Sequence, residues 1–499
     1  MCAAHGMRED LLEFLQQRGT LVEPEAAEFL LRMADPVHAA RSLLDSLQEP
    51  PLILTLVQIQ AAVEIARTAA ASRTTLGSAP PSSPAAVVPQ SFARTSDRAA
   101  DVDRDIRVVR DITGRSTCEG TIEDFSRYFR HRFRTIAKML RARRELAGAI
   151  EIAKAARYAR EVKFIGMVSA VRNVRSGGRI LELEDDGGTA AVLLPRDSVL
   201  ASETVLPDEV VGIVGTANDR GLVIAKSLVR PDIPVAREWR GPREHIRVAF
   251  ASDIHVGSKT FLADRWSRLA AWLAGGDEVA RSIRYLVVSG DLVDGIGIYP
   301  RQDEDLAIDD VYAQYEAAAR LFAPLPEWID VVLVPGNHDA VRPAEPQPAL
   351  PAGVQKLFDS RVTFAGNPSA FLLHGVRILA YHGRSMDDFV SSVPSLNYGN
   401  PLDAMREMLK TRHVAPMYGG KTPIAPESED YLIVDEVPDV FVTGHVHACG
   451  AGEYRGVVLI NSSTWQAQTS YQKMHNIDPR PAQLPIVDLA TGEAIVRPF

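Results

Sequence analysis

Five times between residues 250 and 450 an apolar run stops at a small group of metal-type side chains. The groups are Asp253-Ile-His255, Gly290-Asp291, Gly336-Asn337-His338-Asp339, His382-Gly383 and Gly444-His445-Val-His447. The runs at 285–288 and 331–334 are apolar on successive positions, the pattern of central strands buried on both faces. Helix-period segments lie between the runs, so the region 246–499 reads as an α/β domain whose chemistry sits where its strands end. One such motif would be weak, because a histidine beside an apolar strand is more often a satisfied structural residue. The set is another matter. Asp253 and His255 are two apart, so in an extended segment both side chains leave on one face and can grip one ion, and His445 and His447 repeat that geometry.

The donors are mixed carboxylate, amide and imidazole, which suits Mn²⁺, Fe²⁺ or Zn²⁺ better than an all-oxygen Mg²⁺ or Ca²⁺ site. Asp253, His255, Asp291, Asn337, His382, His445 and His447 are too many ligands for one ion with an open position. They suit two ions about 3.5–4 Å apart sharing one carboxylate, for which Asp291 is the natural bridge. No cysteine-rich zinc site competes. Only Cys2, Cys118 and Cys449 are present, too scattered for a disulfide framework, which fits a reducing compartment.

At 499 residues the chain exceeds one ordinary core, and two or three domains are expected. Residues 1–71 carry apolar positions at helical spacing and read as a small helical domain. Residues 72–105 turn to Ser, Pro, Ala and Thr, the composition of a flexible linker. The segment 106–160 reads as basic and helical, with Arg127, Arg130, Arg132, Arg134, Lys138, Arg141, Arg143 and Arg144, either contacting phosphates or forming a solvated face. Residues 161–235 read as five short strands with glycine turns, a small barrel of the oligonucleotide-binding type. Its only aromatic in the strands is Phe164, which favours a docking platform over a strong single-strand binder. The net charge of −9 argues against a uniformly basic nucleic-acid binder but leaves room for a local basic patch. The uncharged stretch 51–63 is well short of the roughly 18 residues of a membrane span, so no membrane association is expected. Arg8, Glu9 and Asp10 stand where an export signal would be apolar, and the expectation is a soluble, cytoplasmic protein.

The five motifs resemble those of the calcineurin-like, or Mre11-like, metallophosphoesterases. That resemblance implies a first metal held by Asp253, His255, Asp291 and His447, and a second held by Asp291, Asn337, His382 and His445. It implies that His338 is not a ligand but the acid that protonates the departing oxygen or steadies the charged phosphorus centre, with Asp339 orienting its imidazole. Hydrolysis would then be an in-line attack without a covalent enzyme intermediate.

The segments between the motifs resemble more specifically the small subunits of the archaeal family D DNA polymerases. They are Gly290-Asp-Leu-Val-Asp294-Gly-Ile-Gly-Ile-Tyr-Pro300, His382-Gly-Arg-Ser-Met-Asp387-Asp388, Arg412-His413-Val-Ala-Pro416 continuing through Lys421 to Glu427, and Ser463-Thr-Trp465-Gln-Ala-Gln468-Thr. This resemblance implies a 3′–5′ exonuclease acting on single-stranded 3′ ends of DNA, usually with Mn²⁺, in a heterodimer with a large catalytic subunit. The barrel and the phosphoesterase domain would dock on that partner. Arg384, His413 and Lys421 would contact phosphate or shape the site, or else serve loop structure or the subunit interface. The competing readings are a catalytically silent scaffold subunit and a general metallophosphatase.

Overall fold

The computed structural model describes residues 98–499 except 156–160, 176, 236 and 475, together with 21–22, 29–31, 37 and 53–54. The chain divides into two compact units, Met1–Phe92 and Ala93–Phe499. In the first, Leu21–Val22 pairs in parallel with Ile53–Leu54, and residues 29–31 and 37 are helical. The strand pair departs from a purely helical reading. The rest of that expectation, and the linker up to residue 97, lies outside the described residues.

The second unit is folded from its first described residues. Ala99–Asp101 forms a 3₁₀ turn with Ala99 buried, and Arg284 Nε donates to Val102 O at 3.0 Å. The end of the span 72–105 is therefore part of the folded unit, with Ala99 and Val102 supplying an apolar anchor. Strand β1 (Ile106–Arg110) follows, where the basic segment is expected to be helical. Helix α1 (Ile122–Arg141) starts only at a capping box, in which Thr121 Oγ1 accepts from Asp124 N and the Asp124 carboxylate accepts from Thr121 N. Its buried positions Tyr128, Arg132, Ile136 and Leu140 recur every four residues, and Arg127, Arg130, Arg134, Lys138 and Arg141 are all exposed.

Five strands close a barrel: β2 (Glu161–Asn173), β3 (Arg179–Asp185), β4 (Gly188–Leu194), β5 (Val210–Ala217) and β6 (Val223–Val229), in the order β2-β3-β4-β6-β5. Phe164 is fully buried in the barrel core with Val168, Leu181, Leu183 and Ile213, so it offers no surface to a base. Ile136, Ala137 and Leu140 of α1 pack together with Ile165 and Val210 of the barrel and with Ile433 of the following domain.

That domain is two six-stranded sheets packed face to face. The first contains β7 (Arg247–Ala251), β8 (Ile283–Ser289), β9 (Asp330–Val334), β10 (Val362–Phe364), β16 (Gln483–Asp488) and β17 (Ala494–Pro498), ordered β10-β9-β8-β7-β16-β17, with β7 to β10 parallel. The second joins β1 to β11 (Ser369–Leu373), β12 (Val376–Ala380), β13 (Val440–Thr443), β14 (Cys449–Tyr454) and β15 (Val457–Ser462) in the order β14-β15-β13-β12-β11-β1. All seven residues of β8 are buried because both its faces are covered. Tyr285 and Val287 meet the other sheet, and Leu286 and Val288 meet the outer layer. Each such aliphatic residue contributes about 1.5–3 kcal/mol by leaving water. The outer layers are α2 (Ala263–Leu273) and α3 (Val311–Phe322) on the first sheet, and α4 (Met386–Ser392) and α5 (Pro401–Thr411) on the second. The motifs follow the C-terminal ends of β7, β8, β9, β12 and β13. Among the described residues no helix is long and apolar enough to cross a membrane.

Candidate metal centre

The loops that leave these strands are strained in a shared way. Asp253, His255, Asp291, His445 and His447 have φ of +50°, +54°, +51°, +70° and +53°. Non-glycine residues seldom adopt that region, and it persists where the surroundings over-determine it. Here Asp253 N donates to Gly290 O at 3.0 Å, Ile254 N to Asp291 O at 2.8 Å and His445 N to Asp253 Oδ2 at 2.8 Å, tying three loops together. Two glycines make room for the side chains. A Cβ on Gly290 would lie 2.2 Å from His382 Nδ1, and one on Gly336 would lie 2.2 Å from Asp291 Oδ1.

Three groups of donors result among the described residues, one of them His255 with Asp294 and His338, and the other two are made of expected ligands alone. Asp253, His255 and His447 form one, with His447 Nε2 3.4 Å from Asp253 Oδ1 and 3.2 Å from His255 Nε2. Asp291, His382 and His445 form the other, and His382 Nε2 is 3.3 Å from Asp291 Oδ2 and 3.1 Å from Asn337 Oδ1. Asp291 Oδ2 is also 3.9 Å from His255 Nε2, so this carboxylate stands between the groups. Every candidate ligand read from the sequence is brought to this one place.

The donor set fits divalent cations. Asp253 is fully buried and its Oδ1 accepts no well-formed hydrogen bond, its nearest imidazole being His447 Nε2 at 3.4 Å, a costly arrangement unless a cation answers it. His255 Nδ1 lies 3.0 Å from Asp294 Oδ1, and His382 Nδ1 lies 3.0 Å from Ser289 O. Carboxylate and carbonyl oxygens only accept, so both Nδ1 atoms donate and both Nε2 atoms turn inward as ligands would. Burial opposes the ionisation of Asp291, but the His382 and His338 imidazoles hold its carboxyl well below the usual range. Burial likewise works against a charged His382, yet Asp291 pushes it up to about 10. The proton it holds there is the one a cation would displace.

Around the centre lies an open cleft that Arg384 and Lys421 line, together with Tyr299, Tyr398 and Tyr471. His338 stands at its edge. His338 Nδ1 donates to Asp294 O at 2.7 Å, which leaves Nε2 3.9 Å from Asp291 Oδ2. Asp339 does not orient that imidazole. Its Oδ2 accepts from Gly336 N and Leu292 N at 2.9 and 3.2 Å, and Tyr315 donates to its Oδ1 at 3.0 Å, so it braces the loop carrying Asn337 and His338. The residue that does hold the His338 ring is Asp294, through its backbone.

His413 is no contact for a ligand. It is fully buried, 2.8 Å from Asp430 Oδ2, because the turn after α5 directs it against α1 and away from the cleft. Two residues without an assigned role in the sequence reading belong to the site. Asp294 holds His255 and His338, and Asp387 lies 3.4 Å from His445 Nε2 while accepting from Tyr398 OH at 2.9 Å. Both fall in the segments Gly290–Pro300 and His382–Asp388 that carry the resemblance, and the three-residue step from Asp291 to Asp294 was the available signal.

The family of DNA polymerase alpha/epsilon B subunits matches residues 248–449. The DNA polymerase II small subunit of Archaeoglobus fulgidus is 41% identical over 409 residues, covering 81% of this chain and 83% of its own length. That of Methanothermobacter thermautotrophicus is 44% identical over 400 residues, covering 78% and 82%. That of Halobacterium salinarum is 37% identical over 500 residues, covering 97% of both chains. The chain belongs to the family of DNA polymerase II small subunits.

Proposed function

We propose that this chain is the proofreading subunit of a two-subunit DNA polymerase, a 3′–5′ exonuclease that hydrolyses DNA phosphodiester bonds at a centre for two divalent cations, with Mn²⁺ the preferred ion. The observation that carries this reading is the complete inward-facing donor set around Asp253 Oδ1, a buried oxygen without a well-formed hydrogen bond. Asp253, His255, Asp291 and His447 would hold one ion, and Asp291, Asn337, His382 and His445 the other. When bound, such a pair supplies Lewis acidity to the phosphoryl oxygens and acidifies water.

The chain's own groups do the rest. Arg384 and Lys421 on the cleft wall meet phosphate charge, and Tyr299, Tyr398 and Tyr471 offer rings on which bases can stack. Water attacks phosphorus opposite the departing O3′, so a phosphorus–oxygen bond forms as the P–O3′ bond breaks. His338, its ring fixed by Asp294, delivers the proton that O3′ takes up. A nucleoside 5′-monophosphate leaves. The relatives' designation as small subunits supports a large partner that carries polymerisation, and a barrel with its one strand aromatic buried suits docking on that partner.

Purified chain with Mn²⁺ should shorten a labelled single strand from its 3′ end and release mononucleotides. Absence of metal-dependent cleavage, alone and with the large subunit, would return the chain to a scaffold role. Turnover of a simple phosphomonoester much faster than DNA would make it a phosphatase.

A further inference from the structure

Between Asp294 and Gln302 the chain leaves the centre and returns, and in between it puts two aliphatic side chains into solvent. Ile296 is 47% exposed and Ile298 40% exposed, and Ile298 and Tyr299 form part of the cleft wall. Single exposed aliphatic residues are ordinary, but this pair sits on a segment that is held rigidly. Gln302 is buried, donates to Asp294 O at 2.8 Å and Asp294 Oδ2 at 2.9 Å, and accepts from Ile298 N at 2.9 Å. Gln314, also buried, accepts from Gly295 N at 2.9 Å and donates to Gly295 O at 3.2 Å. Gly295 takes φ +73°, and a Cβ there would lie 2.3 Å from His338 O. The same Asp294 carbonyl receives the His338 ring, so the loop and that imidazole are fixed in one register.

The tip reads Gly-Ile-Gly-Ile-Tyr-Pro from 295 to 300, with no charge, whereas Arg384 and Lys421 elsewhere on the cleft suit phosphates. A rigid, uncharged, aliphatic tip beside a recessed centre is suited to the face of a base. A terminal base must leave its stack before its phosphodiester can reach such a centre. Aliphatic side chains inserted at a base step are one way proteins achieve that. We propose that the 295–300 loop is a wedge, with Ile296 and Ile298 taking the place of the stacking neighbour of the 3′-terminal base so that a paired end can be drawn into the cleft. The wedge rests on the nuclease reading of the site.

The test uses the full chain with Mn²⁺ on a single strand, a duplex with a paired 3′ end and a duplex with a mismatched 3′ end. Ile296→Ser combined with Ile298→Ser should lower the ratio of paired-end to single-strand rate about tenfold, with the mismatched end affected less. Ile296→Leu combined with Ile298→Leu should restore the ratio, which a fold defect would not allow. An unchanged ratio, or rates that fall in step on all three substrates, overturns the wedge alone. An unchanged ratio with loss of co-purification with the large subunit assigns the tip to the subunit interface and also overturns it. A wild-type chain that cleaves none of the substrates overturns the nuclease reading and the wedge with it.

Discussion

Two buried clusters of histidine and aspartate stand out among the described residues, and one of them invites a cation while the other does not. Around Asp430 every polar group is answered. Arg132 Nε donates to Asp430 Oδ2 at 2.8 Å, His413 Nε2 lies 2.8 Å from the same oxygen, Leu432 N donates to Oδ1 at 3.0 Å and Ala415 N donates to His413 Nδ1 at 3.1 Å. The Arg132 guanidinium is the internal cation of that cluster, and it ties α1 to the sandwich. Around Asp291 there is no buried arginine or lysine among the described residues, Asp253 Oδ1 lacks a well-formed hydrogen bond, and the Nε2 atoms of His255 and His447 face each other at 3.2 Å. Residue type does not separate the two clusters. What separates them is whether the protein itself closes the charge balance.

That difference can be broken from either side. The largest expected effect is Asp291→Ala, which removes the carboxylate between the two donor groups and should lower the 3′-exonuclease rate about 10³-fold or more while the chain stays folded. A variant with most of its activity left would remove the centre from the chemistry. The closed cluster predicts the reverse. Arg132→Ala strands Asp430 in the interior and should cost about 3–5 kcal/mol of stability, read as a lower urea midpoint, with Mn²⁺ binding retained. A midpoint close to wild type would mean that water, not Arg132, answers Asp430. His338→Ala comes next, with a rate loss of about 10²–10³-fold and an unchanged number of Mn²⁺ ions bound in calorimetry. Loss of an ion would make His338 a ligand.

The ligands were legible because their placement is local. The pairs Asp253/His255 and His445/His447 and the apolar runs ending at Asp291 and Asn337 are properties of short stretches, although both pairs sit in left-handed backbone and not in the extended segment their spacing suggested. The partner of each side chain is not local. Asp339 follows His338 directly, yet its carboxylate turns to Gly336 N and Tyr315 while Asp294, earlier in the chain, holds the imidazole. His413 belongs to a segment that resembles polymerase subunits, but its burial depends on Asp430 and on α1, which precedes it by about 270 residues in the chain. The same holds for β1. Residues 106–110 are Ile-Arg-Val-Val-Arg, three β-branched residues in five that suit a strand, and they become one by pairing with β11, with Phe371 opposite Val108. The positive φ values at five ligand positions carried only a faint signal, since Asp and His enter that region more often than most residues but still uncommonly.

The smallest expected effect asks whether the closed cluster behaves as a unit towards acid. Burial pulls the His413 imidazole down to about 4, the Arg132 charge adds to that, and Asp430 opposes it. Its ordinary value is 6.5, so the folded state favours the neutral ring, and the stability this gives is complete above pH 6.5 and is lost as pH falls through about 4. Asp430 stays ionised throughout, held far below the carboxylate range by His413 and Arg132 against the effect of burial. The loss at the acid end is on the order of 3 kcal/mol. Glu209 runs the other way: burial raises it to about 7 from 4.5, so its contribution is complete below pH 4.5 and is lost as pH rises through about 7. The two trends overlap in wild type, and a variant is needed to part them. His413→Gln keeps an amide donor for Asp430 but cannot titrate, so its unfolding free energy should fall less than that of wild type between pH 6.5 and 4.5. Parallel curves for the two proteins would mean that acid enters this cluster without cost, and the contrast with the open centre would then rest on Arg132 alone.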